Sequence, residues 1–198
     1  MIRGEINLIN KTLAILAGGK SSRMNYNNKA LLNYKEKKFI EHIISAGSNF
    51  KEIIIVSNEK ELYNEFGLKV IEDEFKGKGP LAGIHSVLKN STTDYTLCIA
   101  CDMPLIKTEV IEYMGNYDEN YDVLIPKYEN ELQPLCAIYS KRLKDKIEDD
   151  LINDRNKLKK FVMSVNYKVI DGIGYRKFNE QDFMNINTPV DYEKLESI

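Results

Sequence analysis

Residues 16–32 read LAGGKSSRMNYNNKALL and gather Gly18, Gly19, Lys20, Arg23 and Lys29 directly behind an apolar run. Glycines at a strand end let the backbone approach a ligand closely and present peptide N–H groups to it. Three cations within ten residues at that edge suit a triphosphate. The order Gly19-Lys20-Ser21 looks like the tail of a P-loop, G-x-x-x-x-G-K-[ST], but the first glycine of that pattern would fall on Ala14. The dinucleotide fingerprint G-x-G-x-x-G fails too, because no glycine follows Gly19 before Gly47. Taken alone, the stretch is equally a glycine turn followed by a solvated basic loop.

A second set of reactive groups lies in CIACDMPLI, residues 98–106, where an apolar run ends on Asp102 with Pro104 just beyond. A carboxylate at the carboxyl end of a parallel strand points into the crevice where ligands of open α/β sheets bind. Magnesium uses one or two carboxylates plus substrate phosphates, so Asp102 is a candidate metal ligand; the plainer role is a helix cap or turn. Asp73 ends another apolar run, placed to reach a base or ribose, or to cap the turn before Glu74-Phe75. Cys98 and Cys101 are three apart in a strand and so face opposite sides of the sheet, which argues against a shared metal or redox role. The two histidines, His42 and His85, fall on expected helices as packing or surface residues, which leaves a serine–histidine hydrolase little support.

The elements that must hold these groups alternate. TLAIL (12–16), EIIIVS (52–57), KVIED (69–73) and YTLCIACD (95–102) read as buried strands. Between them, 39–47, 59–67 and 81–89 read as helices, and 108–117 as another with Thr108 as its cap. The alternation predicts an α/β, doubly wound, mostly parallel sheet of the Rossmann-like type. After residue 120 the rhythm changes. Strands at 122–128 and 132–140 are joined by Glu129-Asn130-Glu131, a helical stretch over 141–163 breaks near Asn153-Asp154, and 167–171 is a further strand. An extended 183–189 then precedes a last helix, DYEKLE. This half predicts an antiparallel C-terminal addition within one domain, residues 1–198.

Composition fits that expectation. Of 198 residues, 43% are hydrophobic and 29% charged, enough for a full core. A net charge of −2 gives no broad basic face for nucleic acid. No apolar stretch reaches the length of a membrane span, and charges interrupt the N-terminal residues before a signal-like run forms. Three cysteines do not make a secreted disulfide framework, so a reducing cytoplasm is the expected setting.

With these motifs assembled, the chain resembles the molybdenum cofactor guanylyltransferases, the molybdopterin-guanine dinucleotide biosynthesis protein A family within the nucleoside-triphosphate transferase superfamily. The likeness runs in order through LAGGKSSRM with Lys29-Ala30-Leu31-Leu32, GLKVIED (67–73), GPLAGI (79–84), CDMP (101–104) and NINTP (185–189). It implies that Leu16, Ala17, Gly18 and Gly19 lie along a guanine nucleotide and that Lys29 and Arg23 bind phosphate. Asp73 would contact the nucleotide, Gly79 to Gly83 would border the base, and Asp102 with Asn187 would hold Mg²⁺. The implied substrates are GTP and molybdenum-molybdopterin, with residues 122–140 facing the pterin. The likeness leaves open contact with cofactor-delivery or acceptor molybdoenzyme proteins, and a monomer or weak oligomer. Alternatives are a relative using CTP or another phosphorylated acceptor, and a non-catalytic nucleotide-binding adaptor. The chain departs from the family pattern at Asn25, where glycine is usual, and at Asn28, where aspartate is usual. Ser57 and Asn58 both lie near the family's base-contacting asparagine.

Overall fold

The computed structural model describes residues 8–18, 28–174 and 176–198. Gly19, Lys20, Arg23 and Asn25 therefore lie outside the described residues. The N-terminal half contains β1 (Ile9–Leu16), a small ribbon of β2 (Asn33–Tyr34) and β3 (Lys37–Lys38), α1 (Phe39–Ala46), β4 (Phe50–Val56) and β5 (Lys69–Ile71). It continues with α2 (Pro80–Asn90), β6 (Tyr95–Ala100) and α3 (Thr108–Gly115). Next come β7 (Val123–Tyr128), β8 (Glu131–Leu132), β9 (Cys136–Ser140), α4 (Lys144–Ile152), α5 (Leu158–Val162) and β10 (Tyr167–Ile170). A second ribbon, β11 (Gly172–Ile173) and β12 (Arg176–Lys177), leads to α6 (Glu180–Phe183) and α7 (Pro189–Glu196).

The central sheet has the order β10-β7-β9-β6-β1-β4-β5, with β8 attached to β7. Strands β5, β4, β1 and β6 are mutually parallel, as are β7 and β10. Only β9, inserted between β6 and β7, and short β8 run antiparallel to their neighbours. The expected doubly wound sheet with an antiparallel C-terminal part is thus the observed one.

The pleat explains the near-continuous apolar runs. Leu13 and Ile15 of β1 turn to one face and join Leu97 and Ile99 under α1 and α3. Ala14 and Leu16 turn to the other and join Ile54, Val56 and Cys98 under α2, α4 and α5. Both faces are covered, so a strand here needs no polar alternation. A third, small cluster of Tyr34, Phe39, Ile186 and Leu195 ties α7 and the loop before it to the β2–β3 ribbon and α1.

Several local expectations change. Residues 60–66 form a 3₁₀ helix rather than an α-helix, ending at Gly67 in left-handed conformation. The cap of α3 is Lys107, with extended backbone, and Thr108 is its first helical residue. The strand expected over 132–140 breaks at residues 133–135, where Pro134 has no N–H to give a ladder. The stretch 183–189 is not wholly extended, since Phe183 closes α6. The break foreseen near Asn153-Asp154 is present, with Asp154 at φ 58°.

Gly79 precedes α2 with φ 76° and ψ −165°, a region open to glycine almost alone. Nothing lies within 4 Å of where a Cβ would stand. The cost of a side chain there is therefore conformational. Gly79→Ala is expected to lower stability by about 1–3 kcal/mol in urea denaturation.

Candidate active site

The strand order reverses between β1 and β6, and in such sheets the ligand crevice opens at the carboxyl ends beside that reversal. Four strand ends deliver residues to it: Ala17 and Gly18 after β1, Ser57 and Asn58 after β4, Asp73 after β5, and Asp102 after β6. Backbone bonds keep these ends in register, from Ala17 N to Val56 O (2.9 Å), Cys101 N to Leu16 O (3.2 Å) and Ser57 N to Ile71 O (2.9 Å).

Lys29 begins a 3₁₀ turn, Lys29–Leu31, whose cap is Asn28; the Asn28 side chain accepts from the Ala30 amide, and Ala30 is buried. From this turn the Lys29 ammonium donates to Asn187 Oδ1 at 2.7 Å and to Asp102 Oδ2 at 3.4 Å. The structure thus joins residues that are distant in sequence but expected to work together. Asn187 is held by the start of α7: its amide and that of Thr188 both donate to Asp191 Oδ2, and Pro189 opens the helix. The Ile186 amide donates to Asp102 O at 2.9 Å, clamping this loop onto the end of β6.

Asp102 is mostly buried, and its Oδ1 has no partner. Burial pushes its carboxyl above the ordinary range, and the Lys29 charge pulls the other way. A carboxylate and an amide oxygen that share one ammonium are hard donors of the kind that Mg²⁺ takes, together with water and phosphate oxygens. Among the described residues no group of three or more His, Cys, Asp or Glu side chains could hold a metal. A protein-only metal cage is therefore not formed by them.

Asp73 stands in a slot between two glycines. A Cβ on Gly18 would lie 3.7 Å from its Oδ2, and one on Gly83 would lie 3.3 Å from its Oδ1. Glycine at these positions leaves the carboxylate room that a side chain would crowd, most closely at Gly83, which sequence reasoning had not separated from the rest of 79–83. Asp73 Oδ1 is buried without a partner, and burial pushes the carboxyl upward while the Asn58 side chain opposes this. The Asp73 amide donates to Asn58 Oδ1 at 3.3 Å. Ser57 is turned inward, its Oγ accepting from the Glu59 amide, whereas Asn58 is exposed beside Asp73.

The cysteines and histidines stay out of this chemistry. Cys98 packs in one face cluster and Cys101 against the other. Burial pushes the Cys101 and Cys136 thiols to about 12 and Cys98 also upward, so none offers a thiolate near neutrality. His42 contacts the Tyr34 carbonyl at 2.9 Å, and His85 is buried against Phe75. Among the described residues no helix is long and apolar enough to cross a membrane.

Residues 13–167 match the family described as MobA-like NTP transferase domain. The chain is 52% identical over 192 residues to a probable molybdenum cofactor guanylyltransferase of Clostridium perfringens strain 13, covering 95% of this chain and 97% of that one. A probable molybdenum cofactor guanylyltransferase of Carboxydothermus hydrogenoformans is 39% identical over 192 residues, covering 94% and 95%. Among solved structures, molybdopterin-guanine dinucleotide biosynthesis protein A from Archaeoglobus fulgidus superposes with a TM-score of 0.77 at 29% identity, covering 94% of this chain and 97% of that one.

The slot around Asp73 has a stability consequence. Its carboxyl binds a proton more tightly in the folded than in the unfolded chain, so folding stability falls as pH rises from the ordinary aspartate range through the raised value. Asp73→Asn removes that slope. In urea denaturation at about pH 4 and about pH 7, the variant is expected to gain on the parent as pH rises. The gain should be about 1–3 kcal/mol at most, the penalty of one unsatisfied buried polar atom.

Proposed function

Because the chain belongs to the MobA-like NTP transferase domain family, we propose that it transfers GMP from GTP to the terminal phosphate of molybdenum-molybdopterin, forming molybdopterin guanine dinucleotide. The observation that carries this reading is the convergence of Lys29, Asp102 and Asn187 on one point at the carboxyl edge of the sheet. The Asp73 slot lies on the same edge.

In this reading a phosphate oxygen of the acceptor attacks the α-phosphorus of GTP. A new P–O bond forms, the bond to the bridging oxygen toward the β-phosphorus breaks, and pyrophosphate leaves with that electron pair. The attacker is already an anion, so no general base is required, and the site's task is positioning and charge stabilisation. Lys29, with Arg23 of the loop outside the described residues, offsets charge gathering on the leaving pyrophosphate. Asp102 and Asn187 would hold Mg²⁺, which when bound supplies positive charge to the phosphate oxygens. The Lys29 ammonium, which bonds to the same two oxygens here, would be the group that meets the phosphates.

Leu16, Ala17, Gly18 and Gly19 are assigned to the nucleotide through the backbone. Asp73 is assigned to the nucleoside edge, Asn58 supports it, and the stretch from Gly79 to Gly83 borders the base. Residues 1–198 act as one nucleotidyltransferase domain, with the acceptor on its C-terminal half. A groove of about 350 Å³ lined in part by Tyr128, Gln133, Phe183 and Asn185 supports that placement, since Asn185 is two residues from Asn187. We assign the reaction to the cytoplasm, where three free cysteines remain reduced. The enzyme acts as a monomer or weak oligomer and meets the proteins that deliver or accept the cofactor.

Thermal unfolding with GTP·Mg²⁺, CTP·Mg²⁺, UTP·Mg²⁺ and ATP·Mg²⁺ tests the nucleotide. GTP at about 100 times its Kd is expected to add about 2.7 kcal/mol, and the others much less. Equal stabilisation by CTP would remove the guanylyl assignment. Pyrophosphate release with GTP and acceptor should fall on the order of 10²-fold or more in Asp102→Asn, and an unchanged rate would remove the metal role.

A further inference from the structure

We propose that Asn28, braced by Tyr63 and Glu59, is the positioning residue that aims the Lys29 ammonium. The proposal rests on the reading above in which Lys29 binds phosphate, and it adds three residues to which that reading gives no part.

Asn28 sits immediately before the turn that carries Lys29. Its Oδ1 accepts from the Ala30 amide at 3.1 Å and from the Tyr63 hydroxyl at 3.1 Å. Its Nδ2 donates to Glu59 Oε2 at 3.5 Å, the long end of the range. The first bond makes the turn, because a cap side chain that accepts from the backbone two residues on fixes where Lys29 leaves the chain. The second ties that cap to the core. Tyr63 is fully buried, with its ring 6.2 Å from that of Phe66. Its hydroxyl is a donor on a rigid arm, and burial pushes the phenol up to about 12, so it keeps its proton throughout the neutral range.

The third contact explains why the residue is an amide. Glu59 is held in place by its own amide, which donates to Ser57 Oγ at 3.1 Å. A neutral amide at 28 can accept with its oxygen from Tyr63 and Ala30 and donate with its nitrogen to Glu59. A carboxylate there would still accept from Tyr63 and Ala30 but would turn an oxygen toward the Glu59 carboxylate, two like charges at hydrogen-bond distance. Asn28 and Glu59 are therefore a matched pair. Tyr63 enters as a positioning residue acting through Asn28, not as a group that meets substrate.

The test needs no nucleotide. The Lys29 side chain is acylated in the free protein by an amine-reactive ester, its deprotonated amine attacking the ester carbonyl and the alkoxide-type leaving group departing, and the product is followed by peptide mass spectrometry. Exposed Lys51, at the amino-terminal end of β4 on the far edge of the sheet, serves as internal reference. Tyr63→Phe and Asn28→Asp are expected to raise the Lys29 rate roughly 3- to 10-fold, the weight of one modest hydrogen bond, with Lys51 unchanged. Adding Glu59→Gln to Asn28→Asp should bring the rate back to within about 2-fold of the parent, a rescue that general loosening does not produce. With GTP and acceptor, kcat should fall in the same two single variants while KM for the acceptor holds. Unchanged Lys29 acylation in both single variants, or no rescue by Glu59→Gln, overturns the proposal. Loss of GTP preference in the parent protein would remove the guanylyl reading and leave the acylation result standing.

Discussion

A single ammonium joins three parts of the chain that are far apart in sequence. Lys29 reaches Asp102 and Asn187, 73 and 158 positions away, and bonds to both. Without it, Asp102 would be a mostly buried carboxylate with one orphaned oxygen and, among the described residues, no ion-pair partner, a costly arrangement. The packing around the site serves to hold these three groups within reach. Ala30 is sunk in the core beneath the turn, Ile186 is fully buried while its amide grips Asp102 O, and Asp191 holds the loop onto α7. In this structure the positive group between the two oxygens is the Lys29 ammonium.

Asp73 shows the other side of the same design. In its slot between Gly18 and Gly83, Oδ1 is left without a hydrogen-bond partner among the described residues. A chain selected only for stability would have filled the slot with a methyl group or given the carboxylate a donor. An unsatisfied carboxylate oxygen kept there costs stability, which is the usual mark of a position retained for something other than stability.

Much of this was legible in the sequence because its physical cause is local. Buried parallel strands announce themselves as continuous apolar runs, and 12–16, 52–57, 69–73 and 95–102 all lie on or overlap β1, β4, β5 and β6. Lys29, Asp102 and Asn187 stood out through motif order. Their meeting at one ammonium could not be read, because it depends on how the C-terminal loop folds back over β6. The Asn28–Tyr63 bond spans 35 positions, and no spacing rule connects a loop amide to a tyrosine in a later 3₁₀ helix. Asn28 could be marked only as the place where an acid was expected. Pro134 did carry a usable signal, since proline within a central strand argues for a break. The reading of 132–140 as one strand passed over it.

The reversed strand β9 changes which loops can share an edge. In a wholly parallel sheet, the loop entering a strand lies at the edge opposite the one where ligands sit. Because β9 runs against β6, its entry at residues 133–135 comes to the carboxyl edge, where Leu135 O accepts from Ala100 N at 2.8 Å just before Asp102. That short, proline-containing entry is itself tied into the sheet, with Gln133 N donating to Pro126 O at 2.9 Å and the Tyr139 hydroxyl to Pro134 O at 2.7 Å. The exit of β6 and the entry of β9 therefore stand side by side on one edge, two loops that a wholly parallel order would have kept on opposite edges.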